Sequence, residues 1–238
     1  MDERPQFKAE HLRPLNKIFD PDPRNVQPVS PLWEKVGFKP ASIEKHHANI
    51  AQYRLNSTVP EDVVEQFETA KNLYLYAWFV YRFYPVADFL ALACLELALR
   101  ERYEKEIPQR DLGRGGKPSL SSLLRYAIKC GHIKNEGFKK WHNAIRRKAI
   151  NRYENNKYEE MRDKELESIE LDYSEAGITD ADRRFDFVKI LFESLPSLRN
   201  HYAHGTSMHR GKDLSTIEFV AEMINQVYPE NNPAKETL

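Results

Sequence analysis

Residues 72–103 read NLYLYAWFVYRFYPVADFLALACLELALRERY, and the fold turns on whether this run crosses a membrane or fills a core. A span needs about 20 predominantly apolar residues. Arg82, Asp88 and Glu96 interrupt the run and Pro85 stands near its middle, so it reads as buried core helix. Pro85 blocks a hydrogen bond to the previous turn and restricts the residue before it, which predicts a kink or a break between two helices. The second of these, running to about Lys105, is apolar nearly all round. A helix of that kind is surrounded by other helices.

Helical signals continue on both sides. NSTVPEDVVEQF announces a helix from about residue 58 to Tyr84, with Thr58 as cap, Pro60 in the first turn and Glu61 completing a capping box. SLSSLLRYAIKCGH is a short helix following the glycine- and proline-rich loop PQRDLGRGGKPS. Residues 135–177 are helical in pattern, basic in the first half and acidic from Glu154 to Glu175. The segment from Gly177 to Gly205 starts with the capping pair Thr179 and Asp182 and repeats apolar residues at spacings of three and four up to Tyr202. A last helix covers LSTIEFVAEMINQVY. No segment shows strand alternation or an internal repeat, so the expected fold class is all-α.

Prolines at 5, 14, 21, 23, 28, 31 and 40 mark residues 1–56 as an N-terminal arm lying on the domain or on a partner, with a short helix over SIEKHHANIAQYRL. Residues 57–228 form the helical domain and 229–238 a polar tail. Lys plus Arg and Asp plus Glu are equal at 36 each, so global charge offers no steering field for nucleic acid, membrane or acidic substrates. Any such partner must be met by a local patch. Cys94 and Cys130 have neither metal-ligand spacing nor the density of a disulfide scaffold, and read as buried thiols in a reducing cytoplasm. The N-terminus MDERPQFKAEHLRPLNKIF has no apolar core of a signal peptide, consistent with that location.

Several segments carry chemistry-bearing residues. GRGGKPS departs from a phosphate-binding P-loop, which needs glycine where Asp111 stands and Ser or Thr where Pro118 stands, so it reads as an interhelix loop. His46 and His47 are adjacent, on different faces of a helix and without further ligands at metal-site spacing, and read as solvated surface histidines. Lys139, Lys140, Arg146, Arg147, Lys148 and Arg152, interleaved with Trp141 and Tyr153, can bind RNA phosphates and bases. The competing reading is a solvated helix face. In SLRNHYAHG, residues 197–205, Asn200 and His204 are four apart and share a helix face, whereas Arg199 and His204 lie about 140° apart around the axis. A long arginine can wrap partway, and Gly205 is placed to end the helix where its dipole favours a protonated histidine. The segment therefore either gathers a guanidinium, an amide and an imidazole at one groove, or simply caps a helix end.

RNHYAH resembles the R-x4-6-H signature of HEPN domains, with Arg199 first, Asn200 as the polar residue that commonly follows, and His204 last. An apolar helix leads into the motif and the buried helix FLALACLELALRERY lies upstream, as in many HEPN bundles; the resemblance covers about residues 57 to 228. RYAIKCGH also satisfies R-x6-H but lacks the polar second residue and sits on a short helix. The resemblance implies an HEPN-like helical bundle acting as a metal-independent endoribonuclease without cofactor, as in toxins and phage defence. It also implies a homodimer in which two motifs face one cleft, and a restraining antitoxin or sensor partner. His204 would serve as general base or acid, Arg199 would neutralise phosphate charge, and Asn200 would orient one of them. His201 would supply a second imidazole or else be an exposed or capping residue. Glu96, if buried, needs a partner: Arg100 one turn on, or Arg199, whose guanidinium it would fix. The alternative function is a non-catalytic helical module that binds nucleotide, RNA or a protein.

Overall fold

The computed structural model describes residues 11–26, 41–112, 116–203 and 212–230. Among them are nine α-helices and no strand, the only extended pairing being an isolated bridge between Leu112 and Pro118. The helices are α1 (Pro23–Val26), α2 (Ile43–Ala51), α3 (Glu61–Tyr76), α4 (Phe83–Tyr103), α5 (Leu120–Lys129), α6 (Lys139–Asp163), α7 (Asp180–Arg183), α8 (Phe187–Ala203) and α9 (Ser215–Val227). None of the described helices is long and apolar enough to cross a membrane. Residues 113–115 of the glycine loop lie outside the described residues.

α4 is the axis of the fold and packs against α3, α5, α8 and α9. Ala87, Ala91, Leu92, Cys94, Leu95, Ala98 and Leu99 are all fully buried on it. Three of these are alanines, which let neighbouring helices approach closely, and leucines fill the rest of the space.

The break before α4 falls at residues 77–82, earlier than Pro85 suggests. Pro85 is the third residue of α4, in the first turn, where a missing N–H costs no hydrogen bond. The carbonyls at the end of α3 find their partners in the N-terminal arm instead. Asn25 Nδ2 donates to Ala77 O at 2.8 Å and to Trp78 O at 2.9 Å, and the Asp22 N–H donates to Trp78 O at 2.9 Å. Arg13 donates to Phe79 O. The described part of the arm thus lies on the bundle. The fully buried Asp22 carboxylate accepts from Arg24 Nε at 2.8 Å and Nη2 at 2.9 Å. Burial alone would raise this carboxyl, but the Arg24 hydrogen bonds outweigh it and hold it below the usual carboxylate range.

Four expectations need correction. Thr58 does not cap α3: its hydroxyl donates to Tyr228 O at 2.9 Å, one of the orphan carbonyls past the end of α9, and Pro60 occupies the cap position. α6 stops at Asp163 rather than continuing to residue 177; Glu165 turns left-handed with φ 51° and the chain doubles back along the helix. The Thr179–Asp182 capping box forms, but it starts only the single turn α7. A separate helix, α8, begins at Phe187 with Asp186 Oδ1 accepting the Lys189 N–H at 3.0 Å. Cys94 is buried as expected, whereas Cys130 is exposed at the end of α5.

Candidate functional site

The second half of α8 carries the first five residues of the motif, Arg199 to Ala203. Pro196 lies inside this helix and cannot donate to the preceding turn. The helix continues past it to Ala203, where contacts to α4 add to the placement of its last turns. Arg199 and Tyr202 are three apart and share the face turned to α4, while Asn200 and His201 are exposed. His204 and Gly205 lie outside the described residues.

Two side chains of α4 receive that face. Asp88 and Glu96 are eight residues apart, two turns along one side of the helix. Tyr202 Oη donates to Asp88 Oδ2 at 3.1 Å, with Asp88 4% and Tyr202 9% exposed. Glu96 Oε2 pairs with Arg199 Nη2 at 3.2 Å, while its Oε1 accepts from Arg100 Nη2 at 2.8 Å. Both partners considered for Glu96 are therefore engaged at once. Arg199 Nη1 also reaches Asn200 Oδ1, at a long 3.4 Å. The outcome is a half-buried guanidinium whose Nη2 is held by a partly buried carboxylate, a geometry able to meet an oxyanion.

Half of the basic run on α6 is engaged within the chain. Arg146 donates to the carbonyls of Tyr173 and Ala176, and Arg152 Nη2 donates to Gly177 O and Asp182 Oδ2, both at 2.8 Å. Lys148 Nζ stands 5.2 Å from the Phe185 ring centroid. The two arginines hold the segment that returns along α6, and the Tyr153 hydroxyl adds an acceptor for the Asp172 N–H at 3.0 Å. Trp141 is buried and its indole N–H donates to Phe185 O at 2.7 Å, so its ring is core and not a stacking platform. Lys139 and Arg147 are exposed and Lys140 is half-buried. None of the six bonds to Arg199 or Asn200.

His46 corrects the surface reading. It is 5% exposed, its Nε2 donates to Tyr74 O at 2.9 Å, and its ring stacks on Tyr74 at 4.8 Å with Trp78 and Tyr84 beside it. Burial holds its imidazole below the usual histidine range. His47, next in sequence, is exposed. His132, from the second R-x6-H pattern, pairs through Nδ1 with the buried Tyr103 hydroxyl at 2.7 Å and stacks on that ring.

Sequence reading missed Asp88 as a partner of the motif and Pro196 as a proline inside the helix that carries it. A charge inside the most apolar helix was the available signal for the first. Compared with protein-family models, curated proteins and solved structures, the chain matches none.

Proposed function

We propose that the protein is a metal-independent endoribonuclease of the HEPN type. The observation that carries this reading is the Arg199 guanidinium, held by Glu96 at 3.2 Å on a helix end whose sequence continues to His204. RNA supplies its own nucleophile, the ribose 2'-hydroxyl, so the chemistry needs a proton acceptor, a proton donor and a charge stabiliser. His204 would take the 2'-hydroxyl proton or protonate the leaving 5'-oxygen. An imidazole that titrates near neutral pH suits either task. Arg199 would neutralise the charge building on the non-bridging oxygens, and Asn200 would orient the phosphate or the imidazole. The 2'-oxygen attacks phosphorus, the bond to the 5'-oxygen breaks, and the products are a 2',3'-cyclic phosphate and a 5'-hydroxyl.

A homodimer would bring two copies of the motif to one cleft, and a toxin or phage-defence role would call for a restraining antitoxin or sensor. Overexpression in a bacterial host tests the reading. Growth arrest that disappears with His204→Ala supports the ribonuclease; equal growth of wild type and variant supports the binding module.

A further inference from the structure

Two guanidiniums share one carboxylate on the α4 surface. Glu96 accepts from Arg100 at 2.8 Å through one oxygen and from Arg199 at 3.2 Å through the other. One guanidinium is enough to balance the carboxylate's charge, and the local Glu96–Arg100 pair, four residues apart on a helix, already does so. Arg199 arrives from a separate helix as a second cation, leaving these three side chains with one positive charge in excess. Arg100 is 32% and Arg199 35% exposed, against 14% for Glu96, so this surplus borders water. The Nε atoms of both arginines are buried, and an anion reaching them therefore meets their Nη atoms. Among the described residues Arg199 Nη1 has only the long contact to Asn200. A planar fork of donors matches phosphate oxygens in a way a lysine does not, and a carboxylate between two forks sets them side by side.

We propose that Arg100 and Arg199 together form a phosphodiester-binding site with Glu96 as its hub, making Arg100 a second phosphate ligand. The identity of the substrate strand as RNA rests on the ribonuclease reading; the site itself rests on the arrangement of charges.

The test measures binding of a fluorescent 2'-O-methyl oligoribonucleotide, whose blocked 2'-oxygen cannot attack, at several salt concentrations. Arg100→Gln and Arg199→Gln are each expected to raise Kd about tenfold, the scale of one lost charge-assisted contact. Each should also lower the salt slope by about 0.7, the value for one phosphate contact on a single strand. Arg100→Lys keeps the Glu96 pair but loses the fork and should fall between, which guards against a misfolded Gln variant. Arg102→Gln serves as control, because Arg102 pairs with Glu106 instead. Failure of the wild type to bind, or binding by Arg100→Gln at the wild-type Kd and salt slope, overturns the site. If both arginines are needed for binding but unmodified RNA stays intact, the ribonuclease reading fails while the phosphate site stands. If unmodified RNA is cut and Arg100 is irrelevant, only the present inference fails.

Discussion

Tyr202 and Asp88 meet across the interface of α8 and α4, the phenol donating to the carboxylate at 3.1 Å in a site almost closed to water. The bond fixes the last turn of α8 beyond Pro196, the turn from which the chain proceeds to His204. Tyr202→Phe keeps the ring and removes the hydroxyl. It should destabilise the protein by about 1–3 kcal/mol, the cost of leaving a buried acceptor short of a donor. For a domain of this size that lowers Tm by roughly 2–4 °C per kcal/mol. Thermal denaturation checks it, and combining Tyr202→Phe with Asp88→Asn should cost less than the sum of the two single changes.

His46 makes stability depend on mild acid. Its folded imidazole is held below the ordinary value of about 6.5, so the unfolded chain takes up the proton first as pH falls. The stability associated with neutral His46 is fully present above that pH and declines below it. Urea unfolding at pH 7.5 and 5.5 should show a lower midpoint at the acid pH. His46→Gln should flatten that difference, and an unchanged pH dependence in the variant would contradict the assignment.

Arg152 links α6 to the returning segment. Its hydrogen bond to Asp182, backed by the Thr179 N–H, pulls that carboxyl down to about 2. This lies below the usual carboxylate value, so the contribution is present above about pH 4 and is lost as pH falls through about 2. In Arg152→Gln the Asp182 carboxyl should titrate closer to its usual value by NMR, and limited proteolysis should cut between residues 164 and 179 sooner than in wild type.

The two thiols should separate chemically. Cys130 is exposed, whereas Cys94 is buried and its thiol is pushed up to about 12 by burial. A thiol reagent should modify one cysteine rapidly in the native protein and the second only on unfolding, and Cys130→Ser should abolish the fast phase.

Local pattern carried the main axis of this fold. The apolar run over residues 83–103 identified α4 as the central helix, because most of its buried positions are written in one short window. Features set by distant partners were not legible. The end of α3 depends on Asn25, which lies about fifty residues upstream and accounts for the Ala77 and Trp78 carbonyls. His46 looks like a surface residue until Tyr74 supplies both its hydrogen-bond acceptor and its stacking ring. The basic half of α6 looks available to phosphates, yet Arg146 and Arg152 are taken by carbonyls of a segment whose return path depends on the turn at Glu165. At the candidate site, Arg199 and Asn200 stood out by residue type, and Glu96 by its charge in an apolar helix. That Glu96 joins Arg100 and Arg199 simultaneously required the packing of α4 against α8.

Purified protein incubated with a mixed tRNA and mRNA pool in EDTA, with product ends mapped, tests the ribonuclease proposal most directly. The proposal predicts cleavage by the wild type that leaves 2',3'-cyclic phosphate and 5'-hydroxyl ends, and loss of that cleavage in both His204→Ala and Arg199→Ala. Intact RNA with the folded wild type, or equal cutting by all three proteins, would contradict it.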